Sequence, residues 1–120
     1  QLECVRLLLA AGAAVDQAMG DGATPLYVAC HEGQLDCAQL LLAAGAALNQ
    51  ADTDGWTPLY VACHQGQLDC VRLLLESSAA LDQATGRGWT PLHAACQEGH
   101  PAVVLCLLRA GADTAARPRA

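Results

Sequence analysis

The order of apolar and polar residues along the chain predicts two short helices followed by a polar turn. An apolar-rich stretch begins after Thr24 and Pro25, and this pair is typical of a helix start, because threonine caps free N–H groups and proline fits the first helical position. A second stretch has apolar residues at helical spacing, at Leu35, Ala38, Leu41 and Leu42. The pattern therefore predicts two helices, over 25–32 and 35–43.

Glycines mark the ends of these predicted helices. Gly33 lies between the two helices and predicts a tight turn in the left-handed conformation, and Gly45 closes the second helix. Residues 46–55, rich in Asp, Asn and Gly, predict an extended turn. One unit later Ser78 stands where glycine is expected, so we predict strain at that helix end.

The whole pattern returns every 33 residues. The stretch DGATPLYVACHEGQLDCAQLLLAAGAALNQA is followed by DGWTPLYVACHQGQLDCVRLLLESSAALDQA, and this near-identity indicates recent duplication, design or a consensus-like origin. The repeated positions include Thr24, Thr57 and Thr90; Pro25, Pro58 and Pro91; Gly33, Gly66 and Gly99; and Cys30, Cys63 and Cys96.

These residues resemble the ankyrin repeat, and the resemblance covers nearly the whole chain. The Thr-Pro-Leu-His signature is intact at 90–93, whereas Tyr27 and Tyr60 replace its histidine in the other units. The resemblance implies an all-α solenoid of stacked helix-turn-helix units, with projecting loop tips and a concave recognition face formed by the tips and the first helices. The family's boundaries divide the chain into a partial repeat, 1–18, and three repeats, 19–51, 52–84 and 85–120.

Charge and composition narrow the class of partner. The formal net charge is −6 and lysine is absent, which argues against nucleic acid, since phosphate binding needs clustered cations. An acidic protein can select a basic partner through complementary fields. No apolar run is long enough to span a membrane and no secretion signal is evident, so we expect an intracellular protein, cytoplasmic or nuclear. The missing first helix and the uncapped ends predict a fragment of a longer array.

Seven cysteines are present, and we expect them to be reduced and mostly buried. Their spacing lacks the short Cys-x2–4-Cys pairs of zinc sites, so no metal is expected. Cys30 and His31 are adjacent and diverge on a helix, which argues against a nucleophile pair. We expect no catalytic residues, no cofactor and no enzymatic activity.

The resemblance places twelve residues on the concave face. The tryptophans among them are either an exposed binding ledge or packing along the loops, and both alternatives stand. Asp16, Asn49 and Asp82 are interpreted as local hydrogen-bonding residues of the turns. The expected partner-binding residues are Asp21, Ala23, His31, Glu32, Asp54, Trp56, His64, Gln65, Arg87, Trp89, Gln97 and Glu98.

The predicted function is that of a scaffold or adaptor that binds a protein or peptide, with basic groups around an apolar or extended segment, on this face. Two alternatives remain open. Residues 68–75 resemble the ankyrin-and-SOCS-box adaptors of ubiquitin ligases, which would make the chain a substrate-recognition array. The near-identity of successive units also fits a designed or consensus-like scaffold without a natural ligand.

Overall fold

Six helices and no strand are present in residues 15–115, the part of the chain that the computed structural model describes. The all-α prediction is therefore confirmed, and the two predicted helices have the expected bounds. Of the predicted partial repeat 1–18, residues 1–14 lie outside the described part, as do 116–120. The helices are α1 Pro25–Glu32, α2 Leu35–Ala43, α3 Pro58–Gln65, α4 Leu68–Glu76, α5 Pro91–Gln97 and α6 Pro101–Arg109.

A buried threonine begins the first helix of each pair, as predicted. The Thr24 hydroxyl accepts a hydrogen bond from the Tyr27 backbone N–H at 3.2 Å, and Thr57 does the same for the backbone N–H of Tyr60 at 3.1 Å. In the third pair the bond is reciprocal, because a ring nitrogen of His93 also accepts from the Thr90 N–H at 2.9 Å. A tyrosine ring has no such nitrogen, so the first two pairs have only the threonine half of this cap.

The helices pack in two rows. The first helices α1, α3 and α5 lie side by side, the second helices α2, α4 and α6 lie behind them, and the molecule measures 44 × 26 × 21 Å. Aliphatic side chains such as Leu26, Leu59 and Leu74 are fully buried between neighbouring pairs. Each pair thus buries apolar surface that it could not cover alone. None of the helices in residues 15–115 is long and apolar enough to cross a bilayer.

Side chains of one helix pair hydrogen-bond to the backbone of the previous pair. The Gln67 side-chain amide donates to the His31 carbonyl at 3.1 Å, and His100 Nε2 donates to the His64 carbonyl at 3.0 Å. Gly33 leaves room for this contact, because a Cβ there would come within 2.5 Å of the Gln67 side chain. The turn glycines therefore serve the stacking as well as the local backbone.

The residues interpreted as local hydrogen-bonding groups do form hydrogen bonds, but their partners lie one unit further on, so the expectation of local partners is wrong. Oδ1 of Asp16, Asn49 and Asp82 each accepts a backbone N–H 31 residues later, at 2.7 or 2.8 Å. These bonds join successive extended turns. A sequence pattern shows the polar residue and the turn, and the partner depends on how the units stack.

The predicted burial of the cysteines holds for four of the six that the structure describes. Cys96 is exposed and Cys106 is half-buried, and none of the six forms a disulfide; Cys4 lies outside the described residues. Most of the described cysteines are therefore buried, as predicted, and Cys96 is the exposed exception. The four buried thiols are those of Cys30, Cys37, Cys63 and Cys70.

Burial and neighbouring thiols raise the pKa of two of the buried cysteines, whereas the hydrogen bond with the Cys30 thiol lowers the pKa of Cys70. A hydrogen bond with the Cys70 thiol, and then burial, raises the pKa of Cys30. Burial raises the pKa of Cys63, with a smaller contribution from Cys106. Because the thiolate is the reactive form, Cys30 and Cys63 are protected by chemistry as well as by packing.

We expect a thiol reagent added to the native protein to modify Cys96 first among the cysteines in residues 15–115. Cys30 and Cys63 should react only when the array opens, so their rates should fall well below that of Cys96. Mass spectrometry of peptides taken at successive times measures each rate, and denatured protein, in which all seven react, is the control. Equal rates for Cys30 and Cys96 would contradict the packing.

The helix end at Ser78 has the predicted strained conformation. Ser78 has φ 68°, and it is the one residue other than glycine with positive φ in residues 15–115. The corresponding Gly45 and Gly111 have φ 89° and 97°. A side chain in this region costs roughly 1 kcal/mol because its Cβ crowds the backbone.

Replacing Ser78 with glycine should therefore stabilise the protein. We expect Ser78→Gly to raise the free energy of unfolding by about 0.5–1 kcal/mol, because relief of the strain exceeds the entropy that glycine adds to the unfolded chain. Thermal unfolding should shift upward by about 2–4 °C. The matched control is Gly45→Ser, which should shift it downward, since no atom within 4 Å of the added Cβ offsets the strain. A loss of stability in Ser78→Gly would contradict this account.

Candidate protein interface

Three short turns precede the first helices and form one edge of the molecule. These tip turns, residues 19–23, 52–56 and 85–89, are each closed by backbone hydrogen bonds, such as that from the Asp52 N–H to the Trp56 carbonyl at 2.9 Å. Neighbouring tip turns are joined as well, by Thr53 N–H to the Asp21 carbonyl at 3.0 Å and Gly86 N–H to the Asp54 carbonyl at 3.3 Å. The backbone therefore holds the edge, and its side chains are left to vary.

An open groove of about 720 Å³ lies between the second and third tip turns and along α3 and α5. The structure brings together in it these residues from the predicted set: Asp54, Trp56, His64, Arg87, Trp89, Gln97 and Glu98. Lining residues outside that set are Asp52, Thr53, Gly55, Tyr60, Thr85 and Gly86.

Aromatic rings form one wall of the groove. The Trp56 ring centroid lies 4.6 Å from that of Tyr60 and 4.9 Å from that of His64. Trp89 contacts the His93 ring edge-on, with centroids 5.5 Å apart. Both tryptophans are half-buried. They contact side chains of the helices that follow them and also line the groove. Their environment therefore combines the two alternatives, packing and exposure on a ledge.

Tyr60 is the aromatic residue that the sequence prediction missed. Its side chain is largely buried, and burial, followed by the charge of Glu98, raises the pKa of its hydroxyl. The sequence could have indicated Tyr60 through its spacing, because Trp56, Tyr60 and His64 are each four residues apart. Residues at this spacing lie on one face of a helix and its N-terminal approach.

The polar side chains at the junction between the first and second helix pairs bind one another. His31 Nδ1 lies 2.6 Å from a Glu32 carboxylate oxygen, and His31 Nε2 lies 2.9 Å from the amide nitrogen of Gln65. One neutral tautomer satisfies both contacts, with Nδ1 donating to Glu32 and Nε2 accepting from Gln65. These three members of the predicted set lie outside the groove.

Tyr27 occupies at the first junction the position that Tyr60 occupies at the second, and it also has a polar partner. Burial, and then a hydrogen bond to the Asp52 carboxylate, raises the pKa of Tyr27. At the second junction Thr85 stands where Asp52 stands at the first, and it offers Tyr60 no carboxylate. The two junctions are therefore equivalent in sequence position and different in their contacts.

Two tip residues of the predicted set also lie outside the groove. Ala23 is 3% exposed, so its assignment to the binding face is wrong: a side chain with so little free surface cannot contact a partner. Asp21 is exposed, and its carboxylate accepts the Ala23 N–H at 3.0 Å. Asp21 thus stabilises its own turn.

The charged groups of the groove have few partners of opposite charge. Three carboxylates, those of Asp52, Asp54 and Glu98, and the guanidinium of Arg87 line it. Only two ion pairs within 4.0 Å join described residues, and both involve histidine. One of them is in the groove, between His64 and Glu98 at 3.8 Å. Within residues 15–115 no cluster of three His, Cys, Asp or Glu side chains could hold a metal ion.

Comparison with known proteins bears on the family. The family model described as ankyrin repeats (3 copies) matches residues 1–52 and 44–117, which together span most of the chain. The comparison with curated proteins gives no match.

Proposed function

This chain belongs to the ankyrin-repeat family, whose repeats generally mediate protein–protein interaction, and from that premise we propose that it is a scaffold whose partner binds in the groove between the second and third helix pairs. The partner is a protein or peptide that presents an extended segment. The single observation that carries the proposal is a difference between two equivalent junctions: at the first the polar side chains bind one another, and at the second they line an open groove.

At the first junction the polar groups of the face already have partners. His31, Glu32 and Gln65 form a connected set, with contacts of 2.6 and 2.9 Å. A ligand would have to break these contacts before it could form its own, which reduces the net gain of binding there. The same three positions in the next unit are His64, Gln65 and Glu98. Of these, His64 and Glu98 line the open groove, and they lie 3.8 Å apart.

Variation between the units supports the same location. Buried positions repeat, as in Leu26, Leu59 and Leu92. Positions at the tips and on the first helices change, as in Ala23, Trp56 and Trp89, or in Asp54 and Arg87. A repeat array keeps its stacking surfaces similar and leaves the exposed face to recognise a ligand. Half-buried tryptophans in a groove are the residue type most enriched among binding hot spots.

The proposal is tested with peptides selected from a displayed random library on the wild-type protein. We expect the double variant Trp56→Ala/Trp89→Ala to bind the selected peptides at least about tenfold more weakly, because a tryptophan hot spot contributes about 2 kcal/mol or more. Fluorescence anisotropy of labelled peptides measures the affinity, and circular dichroism checks that the variant is folded. The single variant Trp89→Ala, which leaves the Trp56–Tyr60–His64 contacts in place, should also weaken binding.

The control changes the opposite face. Gln39 and Arg72 are both exposed on second helices, away from the groove, so Gln39→Lys/Arg72→Glu should bind the peptides like the wild type. Peptides that lose affinity in this variant and keep it in the tryptophan variants would place the binding face elsewhere and overturn the proposal.

A further inference from the structure

The charges in the groove point to the chemistry of its ligand. The Asp52 carboxylate accepts two backbone N–H groups of its own turn, from Asp54 at 2.9 Å and Trp56 at 3.0 Å. Asp54 and Glu98 are exposed and have no Arg within 4.0 Å. Two carboxylates at the groove are thus left without a strong cationic partner from the described part of the chain.

Glu98 lies beside the aromatic wall. It is 3.8 Å from His64, whose ring is 4.9 Å from that of Trp56, and its charge acts on the Tyr60 hydroxyl. The faces of tryptophan and tyrosine rings carry negative potential and attract organic cations. A carboxylate next to such faces, open to solvent on one side, stabilises a cation that can both stack and donate hydrogen bonds.

Arginine meets these requirements better than lysine. Its guanidinium is planar, stacks on aromatic rings and donates two parallel hydrogen bonds to a carboxylate, whereas the lysine ammonium is a strongly hydrated point charge. The groove, at about 720 Å³, falls in the size range of ligand pockets and admits a long side chain with part of its backbone.

We propose that the groove binds an arginine side chain of the partner segment, with the guanidinium stacked on the Trp56 ring, which packs against the buried Tyr60, and bonded to the Glu98 carboxylate. This inference rests on the proposed function and specifies its ligand. Arg87, on the third tip turn, also lines the groove, and its positive charge opposes the binding of a cation there.

The test is an NMR titration with N-acetyl-arginine amide and its neutral isostere N-acetyl-citrulline amide. The chain has two tryptophans, both lining the groove, so their indole N–H signals report binding, and Trp56→Phe assigns them. We expect the arginine compound to shift the signals with a half-saturation concentration at least about threefold lower than that of the citrulline compound. Added salt should weaken the binding of the arginine compound and leave the binding of the neutral citrulline compound unchanged. Equal titration by the two compounds, or no shift with either, would overturn the inference.

Variants of one repeated position give a matched comparison. Glu98→Gln should weaken binding of N-acetyl-arginine amide about threefold or more, and Glu32→Gln, at the same position two units earlier, should leave it unchanged. Arg87→Asp places at this position the aspartate that the other two tip turns have, at Asp21 and Asp54. This variant should bind N-acetyl-arginine amide more tightly. An unchanged affinity in Glu98→Gln would contradict the role of that carboxylate.

The library peptides separate this inference from the function itself. If selected peptides depend on Trp56 and Trp89 and contain no common arginine, the inference fails and the proposed function stands. If they bind the opposite face, the proposed function fails, whatever the small compounds do in the groove.

Discussion

A helix pair of this protein cannot bury its apolar side alone, and the rest of the structure depends on that constraint. In the second pair, which has a neighbour on each side, Leu59, Val61 and Cys63 have at most 1% of their surface exposed. In the third pair the corresponding Cys96 is exposed. The backbone is shaped to allow the contact. At Gly33 and Gly66 a side chain would collide with Gln67 and His100, which hydrogen-bond to the preceding helix.

Stacking by buried groups and backbone bonds leaves the outer edge free to differ between units. The tip turns are held by main-chain hydrogen bonds, so equivalent positions can carry different side chains on the same turn. Asp54 in one unit corresponds to Arg87 in the next, and Ala23 corresponds to Trp89. At the second junction several such changes coincide. Trp56 and Trp89 supply two aromatic rings, and Thr85 offers no carboxylate to the neighbouring tyrosine. Together these residues line the groove at the second junction.

The buried side chains in the described part of the chain have their hydrogen-bond partners, whereas several charges at the groove do not have strong ones. Within residues 15–115 no buried side-chain nitrogen or oxygen lacks a hydrogen-bond partner. Asp54, Arg87 and Glu98 are exposed charges at the groove with weak pairing inside the protein. Exposed ion pairs add little to stability, so these residues are free to vary for recognition. Their interaction energy is available to a partner that excludes water from them.

The sequence by itself determined the repeat, the helix bounds, the threonine caps and the strained Ser78, since these depend on neighbours a few residues away. It also identified most of the groove residues through the family resemblance. Only the tertiary structure decided which of two equivalent junctions is open, that Ala23 is buried, that Cys96 is exposed, and that Asp16, Asn49 and Asp82 bind 31 residues onward. The physical reason is that each of these properties depends on contacts with the adjacent unit. Equivalent residues such as His31 and His64 have the same local sequence, but the adjacent unit gives them different contacts: His31 contacts Gln65, and His64 contacts Glu98.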